Sequence, residues 1–97
     1  MQIFIVKYSI DGQTHLEEHI DGSDFSFIIT LNDDFEGGGT YFTNIKQKIQ
    51  PTVGSILIFC GKNKHTGLQI TKGTRYILTG FISLSKNQYC SSKYNKS

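Results

Sequence analysis

Apolar and polar residues alternate in short runs along this chain, and turn residues such as Asp11-Gly12 and Lys72-Gly73 separate the runs. Alternation with a period of two is typical of strands that bury one face. The pattern predicts seven or eight strands at a spacing of about 8–12 residues and no helix. The predicted segments are Gln2–Ser9, Thr14–His19, Asp24–Leu31, Thr40–Thr43, Lys46–Gln50, Gly54–Phe59, Leu68–Thr71 and Thr74–Ser83. Because Gly54–Phe59 is continuously apolar, we expect burial of both its faces.

The composition agrees with strands rather than helices. Thirteen Ile and nine Thr stand against no Ala, and β-branched residues favour sheets. A chain of 97 residues is one domain's worth, which predicts an all-β sandwich, barrel or jelly roll. We expect this domain to span residues 1–84. Residues 85–97 are polar, with three Lys and no acid, and are expected to form a disordered tail.

Charge and cysteine content exclude several classes. The formal net charge of +2 is too weak to indicate a nucleic-acid or membrane partner. No apolar run approaches the ~18–20 residues that cross a bilayer, and the N-terminus lacks the pattern of a secretory signal. Cys60 and Cys90 suggest no disulfide scaffold, so two free thiols in a reducing compartment are the default. The sequence therefore predicts a cytoplasmic protein.

Three residues form a candidate metal site. His19 and Asp21 are two positions apart, so an extended chain directs both to one face. His65 follows the turn at residues 61–64, at the end of a predicted strand. Two His and one carboxylate bind non-haem iron(II) and leave open positions, whereas a closed zinc site needs a fourth protein ligand. A surface pair of His19 and Asp21 near a turn is the simpler alternative.

Arg75 is the single arginine beside nine lysines. In a strand it shares one face with Ile77, Thr79 and Phe81. A guanidinium on an otherwise apolar face needs an anion, and its planar fork matches a carboxylate bidentately. An ordinary ion pair with Asp21, Asp24 or Glu36, or an edge-strand arginine that reaches water, is the alternative.

The triplet Gly37-Gly38-Gly39 permits positive φ and a close approach of backbone, as a bulge or a tight strand entry near a pocket requires. A phosphate-binding loop is excluded, because no Gly-Lys-Ser/Thr follows and no helix begins there.

Short motifs follow one another in order from about Val6 to Ile82. They are Val6-Lys7-Tyr8-Ser9, Gln13-Thr14-His15-Leu16, His19-Ile20-Asp21, Phe25-Ser26-Phe27, Leu31-Asn32, Phe35-Glu36-Gly37-Gly38-Gly39-Thr40-Tyr41-Phe42, Gly54, His65-Thr66-Gly67 and Thr71-Lys72-Gly73-Thr74-Arg75-Tyr76. In this order and spacing they resemble the iron(II)- and 2-oxoglutarate-dependent dioxygenases of the prolyl 4-hydroxylase and procollagen lysyl hydroxylase kind. The resemblance implies a double-stranded β-helix, a jelly-roll relative, with the metal near one open end.

The resemblance also implies ligands and cofactors. It makes His19, Asp21 and His65 the iron(II) ligands and the catalytic centre, and His15 a non-ligand. It implies 2-oxoglutarate and O2 as co-substrates, and ascorbate as a further candidate.

The same resemblance gives three residues a place beside the co-substrate. Arg75 would bind the distal carboxylate of 2-oxoglutarate. Tyr8 matches a tyrosine that hydrogen-bonds this co-substrate, and Thr79 matches a hydroxyl beside the carboxylate. For Tyr8 and Thr79 the simpler alternatives are packing and strand propensity.

The activity implied is hydroxylation of a prolyl or lysyl side chain in a protein or peptide. The alternative is a non-catalytic jelly-roll binding module, or an inactive or split remnant of such an oxygenase. Repair of alkylated nucleic acid is disfavoured by the near-neutral charge. The candidates for the barrel interior are Phe25, Phe27, Ile29, Ile77 and Phe81.

The sequence departs from this family at its start. Relatives carry N-terminal helices and extra strands that buttress one sheet, whereas this sequence begins almost at the strand that holds Tyr8. We therefore expect a double-stranded β-helix without the helical buttress, and an apolar sheet face that a second chain or self-association covers.

Overall fold

Nine strands make up the fold in this computed structural model, which describes residues 1–84. They are β1 (Gln2–Ser9), β2 (Leu16–His19), β3 (Phe25–Thr30), β4 (Phe35–Gly37), β5 (Thr40–Phe42), β6 (Gln47–Ile49), β7 (Ile56–Cys60), β8 (His65–Gly67) and β9 (Ile70–Ile82). Residues 1–84 contain no helix, so none there is long and apolar enough to span a membrane. The predicted tail, residues 85–97, lies outside the described residues.

The strands form two antiparallel sheets. The first sheet has the order β1-β9-β3-β7, with β4 paired to the beginning of β9, and the second has the order β2-β8-β5-β6. A cavity of about 120 Å³ is lined by side chains of both sheets. The all-β prediction is confirmed, and the arrangement is consistent with a jelly-roll core.

The predicted strands and the observed ones differ at three places. β1 has the predicted bounds, but β4 and β8 were not predicted. The two segments on either side of Lys72-Gly73 form the single strand β9, so the predicted turn is wrong. Gly73 has φ +79° and lies opposite Phe35, where a Cβ would come within 2.5 Å of the Asp34 carbonyl. The glycine therefore admits the close approach of β4 while the strand continues.

The prediction that Gly54–Phe59 is buried on both faces is wrong. β7 is the last strand of the first sheet, and Ile56 and Ile58 are 53% and 60% exposed. Cross-strand register places these residues in two rows across that sheet. One row consists of Ile5, Leu78, Ile29 and Ile56. The other row consists of Ile3, Gly80, Phe27 and Ile58. We call this surface the outer apolar face.

The inner face of the first sheet carries the core. Tyr8, Ile28, Ile70 and Ile77 form its buried cluster, against which Val6, Phe35 and Phe59 pack. Along β9 the alternate residues Arg75, Ile77 and Thr79 are buried, as the predicted alternation requires. The core is small, in keeping with the length of the chain.

Cys60 ends β7 opposite Phe25 and is disulfide-bonded. The prediction of a free thiol is therefore wrong for Cys60, while Cys90 lies outside the described residues. The cytoplasmic location stays a prediction.

Candidate metal centre

The two histidines of the predicted site are cross-strand neighbours. His19 is the last residue of β2, His65 is the first residue of β8, and the two are paired in register. Their ring centroids are 4.3 Å apart. Asp21 follows β2, and its backbone N–H donates to the Gly61 carbonyl at 2.7 Å, which fixes the turn beside the end of β7. Long-range pairing thus unites residues that are far apart in sequence.

Potential ligand atoms of these three residues converge. One ligand atom from each of His19, Asp21 and His65 lies within 4.8 Å of the others, and no other such group of His, Cys, Asp or Glu occurs in residues 1–84. His19 Nε2 is 3.4 Å from Asp21 Oδ1, and His65 Nε2 is 3.5 Å from Asp21 Oδ2. The cluster therefore has the spacing and the atom types of a site that could hold a metal ion.

Backbone carbonyls orient both imidazole rings. His19 Nδ1 lies 2.7 Å from the Glu17 carbonyl oxygen, and His65 Nδ1 lies 2.7 Å from that of Asn63. A carbonyl oxygen only accepts, so each Nδ1 carries the hydrogen and donates it. In the neutral ring Nε2 then carries the lone pair, whereas in the protonated ring Nε2–H donates to Asp21. Such contacts fix tautomer and ring direction in metal-binding histidines.

The electrostatics of the buried pair favour an ionised Asp21. Asp21 and His65 are 8% and 5% exposed. Burial raises the pKa of Asp21, but hydrogen bonds from His65 and Ser26 and the charges of His65 and His19 outweigh it and hold the pKa below its usual value. Burial lowers the pKa of His65, yet the Asp21 carboxylate and the Asn63 carbonyl raise it overall. The site therefore keeps a carboxylate ready for a cation.

Sequence reasoning missed Ser26. Its hydroxyl donates to Asp21 Oδ2, and the side chain is 1% exposed on the inner face of β3. A serine between two phenylalanines of a predicted strand is the available sequence signal, but it does not show that this position is buried. Ser26 therefore fixes one oxygen of the carboxylate.

The cavity between the sheets borders the site. His19, Asp21, His65, Tyr8 and Thr79 all line it. Its remaining wall is mainly apolar: Phe4, Val6, Leu16, Ile28, Thr40, Phe59, Gly67, Ile77 and Phe81. Of the candidates for the interior, Ile77 and Phe81 line this cavity. By register, Phe25, Phe27 and Ile29 belong to the opposite face of the first sheet, so that part of the prediction is wrong.

Arg75 is fully buried, with 0% exposure, which excludes an arginine that reaches water. Within residues 1–84 it forms no ion pair with a carboxylate, so that alternative is wrong as well. Its Nη1 donates to the Gly39 carbonyl at a long 3.5 Å, whereas Nε and Nη2 have no hydrogen-bond partner in the described part of the chain. Burial lowers the pKa of Arg75, against the opposing influence of Tyr8. A buried, incompletely paired guanidinium is suited to an anion.

Tyr8 lines the cavity and also contacts Arg75. Tyr8 pairs with Arg75 in register, and the Arg75 Cζ is 5.1 Å from the centre of its ring. Burial raises the pKa of the Tyr8 hydroxyl, while the charge of Arg75 lowers it less. Arg75 itself does not line the cavity, whereas Thr79 does and donates its hydroxyl hydrogen to the Phe27 carbonyl at 3.2 Å. Tyr8 and Thr79 thus line the cavity, whereas Arg75 contacts Tyr8 without lining it.

His15 lies outside the cluster. Its Nε2 is 2.7 Å from Glu17 Oε2 and its Nδ1 is 3.2 Å from Thr14 Oγ1, both at exposed positions. Both ring nitrogens therefore have local partners.

Comparison with known proteins agrees with this geometry. The chain is 39% identical over 87 residues to the multifunctional procollagen lysine hydroxylase and glycosyltransferase of Caenorhabditis elegans. The matched segment covers 84% of this chain and 12% of that protein. It is 40% identical to procollagen-lysine,2-oxoglutarate 5-dioxygenase 1 of Rattus norvegicus and 42% identical to that of Gallus gallus. Each match extends over 85 residues and covers 81% of this chain and 12% of the relative. The chain thus spans about an eighth of the length of these relatives. The model of the 2OG-Fe(II) oxygenase superfamily matches residues 3–83. The chain therefore belongs to the 2OG-Fe(II) oxygenase superfamily.

Proposed function

We propose that this chain is a 2-oxoglutarate- and iron(II)-dependent dioxygenase that holds the metal through His19, Asp21 and His65 and hydroxylates a prolyl or lysyl side chain of a protein or peptide. The observation that carries the proposal is the convergence of three ligand atoms within 4.8 Å of one another in a family defined by iron(II) and 2-oxoglutarate. The buried guanidinium of Arg75 near the same cavity supplies a partner for a co-substrate carboxylate.

The donor set fits iron(II). Two imidazole nitrogens and one carboxylate are the facial arrangement of non-haem iron(II) oxygenases, and it leaves positions for a co-substrate and O2. Iron(II) bound there would supply oxygen activation, coupled to decarboxylation of 2-oxoglutarate to succinate, for oxidation of a C–H bond.

The residues of the chain set the geometry and exclude water. The carbonyls behind both imidazoles hold the rings in place, and Ser26 holds one oxygen of Asp21. The rings of Phe59 and Phe42 lie 4.8 Å and 5.9 Å from that of His65. Together with the apolar cavity wall they keep bulk water from the inner side of the site.

We assign the distal carboxylate of 2-oxoglutarate to Arg75, with Tyr8 and Thr79 as neighbouring contacts. The charge, the burial and the incompletely used donors of Arg75 support this assignment. Because Arg75 is fully buried, a carboxylate reaches it only when Tyr8 or another covering group shifts. Co-substrate binding therefore includes a local rearrangement.

The substrate and partner assignments are proposals as well. The names of the relatives describe enzymes that act on procollagen lysine, which supports a lysyl or prolyl residue of a protein or peptide as the substrate. Ascorbate is proposed as an accessory reductant. The outer apolar face, with Ile5 and Ile58 62% and 60% exposed, supports a second chain or self-association that covers it.

The test is turnover by purified protein. Wild-type protein is incubated with iron(II), ascorbate and 2-oxoglutarate, and succinate is quantified with and without a collagen-like peptide that contains lysine and proline. We expect succinate from wild type and none from Asp21→Ala. Iron binding without succinate or hydroxylated peptide would favour the non-catalytic binding module, and absence of iron binding by wild type would overturn the oxygenase proposal.

A further inference from the structure

We propose that Gly38 and Gly39 are positioning residues for Arg75: they hold its guanidinium so that Nε–H and Nη2–H form a side-on fork for the distal carboxylate of the co-substrate. The inference rests on the proposed function and adds to it the mode of carboxylate binding and the residues that determine it.

The glycine segment is fixed to the backbone beside it. Gly37 ends β4, and Gly38 and Gly39 join it to β5; the three φ values are +80°, +78° and +95°. The Gly38 N–H donates to the Gln69 carbonyl at 3.0 Å, and the Gly39 carbonyl accepts from the Leu68 N–H at 2.9 Å. The segment is therefore bound to the connection between β8 and β9, and its position relative to β9 is defined.

Gly38 lies directly against the stem of Arg75. A Cβ on Gly38 would be 3.2 Å from Arg75 Cδ and 3.3 Å from both Ile70 Cγ2 and Phe35 Cε1. These distances are shorter than ordinary carbon contacts. Ile70 and Arg75 are both fully buried, but the arginine stem is the nearest of the three contacts and has the most rotatable bonds, so the added methyl group would displace it first. The absence of a side chain at Gly38 thus sets where the stem of Arg75 lies.

Gly39 determines which donors remain for a ligand. Its carbonyl accepts from Arg75 Nη1, while Nε and Nη2 are without a partner in residues 1–84. Nε–H and Nη2–H point from the same edge of the planar group, so they can donate to the two oxygens of one carboxylate. End-on binding would instead use Nη1, one of whose two N–H groups already donates to the Gly39 carbonyl. The geometry therefore favours the side-on mode.

The first experiment compares two ligands and two glycine variants. The ligands are 2-oxoglutarate and 2-oxopentanoate, which has a methyl group in place of the distal carboxylate. The variants are Gly38→Ala and the control Gly54→Ala. Gly54 has φ +85°, so alanine strains it similarly, but a Cβ there meets no atom of the described residues within 4 Å. Dissociation constants are measured by calorimetry on iron(II)-loaded protein without oxygen.

We expect Gly38→Ala to weaken 2-oxoglutarate about tenfold, as for a misaligned charged hydrogen bond, and to leave 2-oxopentanoate within about twofold. Gly54→Ala should leave both affinities unchanged. Equal weakening of both ligands, or undiminished 2-oxoglutarate binding by Gly38→Ala, would overturn the positioning role alone. A wild-type protein that does not distinguish the two ligands would instead overturn the assignment of Arg75 within the proposed function.

A second measurement needs no variant and so does not depend on its folding. Because the chain has one arginine, selective ¹⁵N-arginine labelling gives a single Nε–H signal. In protein loaded with zinc(II) as a diamagnetic substitute, 2-oxoglutarate should shift this proton downfield and slow its exchange, and 2-oxopentanoate should not. Binding of 2-oxoglutarate that changes the Nη signals and leaves Nε–H unchanged would refute the side-on mode.

Discussion

Replacement of Arg75 by methionine should stabilise the ligand-free protein and remove its response to 2-oxoglutarate. The guanidinium is completely buried, and within residues 1–84 two of its three nitrogens have no hydrogen-bond partner. Methionine keeps an unbranched stem against Gly38 and removes the charge. Arg75→Met therefore separates the cost of the buried cation from the packing of its stem.

The expected size follows from the contacts. Each buried unsatisfied donor costs about 1–3 kcal/mol, and substitution of well-packed apolar residues for buried charges is neutral or stabilising by about 1–4 kcal/mol. Against this, the variant loses the long bond to Gly39 and the ring contact with Tyr8, about 0.5–1.5 kcal/mol each. A net gain of about 1–2 kcal/mol in the free energy of unfolding remains, which for a domain of this size raises Tm by roughly 4–16 °C.

Urea denaturation of metal-free protein measures this gain, with Arg75→Lys as the control that keeps a charge. Addition of zinc(II) and a saturating concentration of 2-oxoglutarate should raise the free energy of unfolding of wild type, because the ligand binds the folded state. For Arg75→Met, 2-oxoglutarate should add little to the stabilisation that zinc(II) alone provides. A loss of more than about 1 kcal/mol in metal-free Arg75→Met would show that the guanidinium is a satisfied structural group, and the reasoning would fail.

Four further outcomes are expected. His19→Ala and Asp21→Ala should abolish retention of iron, measured by metal analysis after gel filtration; retention would place the metal elsewhere. Ser26→Ala should weaken metal binding about 10–100-fold, through loss of the hydrogen bond that fixes Asp21, while the fold persists by circular dichroism. Arg75→Lys should cost about 1.5–3 kcal/mol in 2-oxoglutarate binding, because lysine lacks the fork; unchanged affinity would make Arg75 structural. Light scattering should show self-association that Ile58→Lys, on the outer apolar face, reduces; a wild-type monomer without binding of a hydrophobic dye would contradict this.

Local pattern predicted the strands but only part of their environment. The bounds of β1 and the buried alternation of Arg75, Ile77 and Thr79 follow from a period of two. The meeting of His65 with His19 depends on the pairing of β2 with β8, which residue spacing does not reveal. For these residues the ordered family motifs, rather than local periodicity, made the prediction.

Periodicity also left undetermined which face of β3 is buried. Phe25, Phe27 and Ile29 are the more apolar row, and sequence reasoning placed them inside. The structure buries the other row, in which Ser26 contacts Asp21 and Ile28 joins the core. Because the outer face of this sheet is apolar too, hydrophobicity alone could not distinguish the rows. The buried row also holds two polar residues, Ser26 and Thr30, and the contact of Ser26 with Asp21 accounts for the first.

The turn that carries Asp21 connects elements of both sheets. The histidines project from β2 and β8 of the second sheet, whereas Asp21 is tied to Gly61, after β7, and to Ser26 on β3 of the first sheet. An ion coordinated by all three side chains would act as a cross-link between the sheets. Metal loading should then slow amide hydrogen exchange in both sheets together, and its removal should loosen them as one cooperative unit.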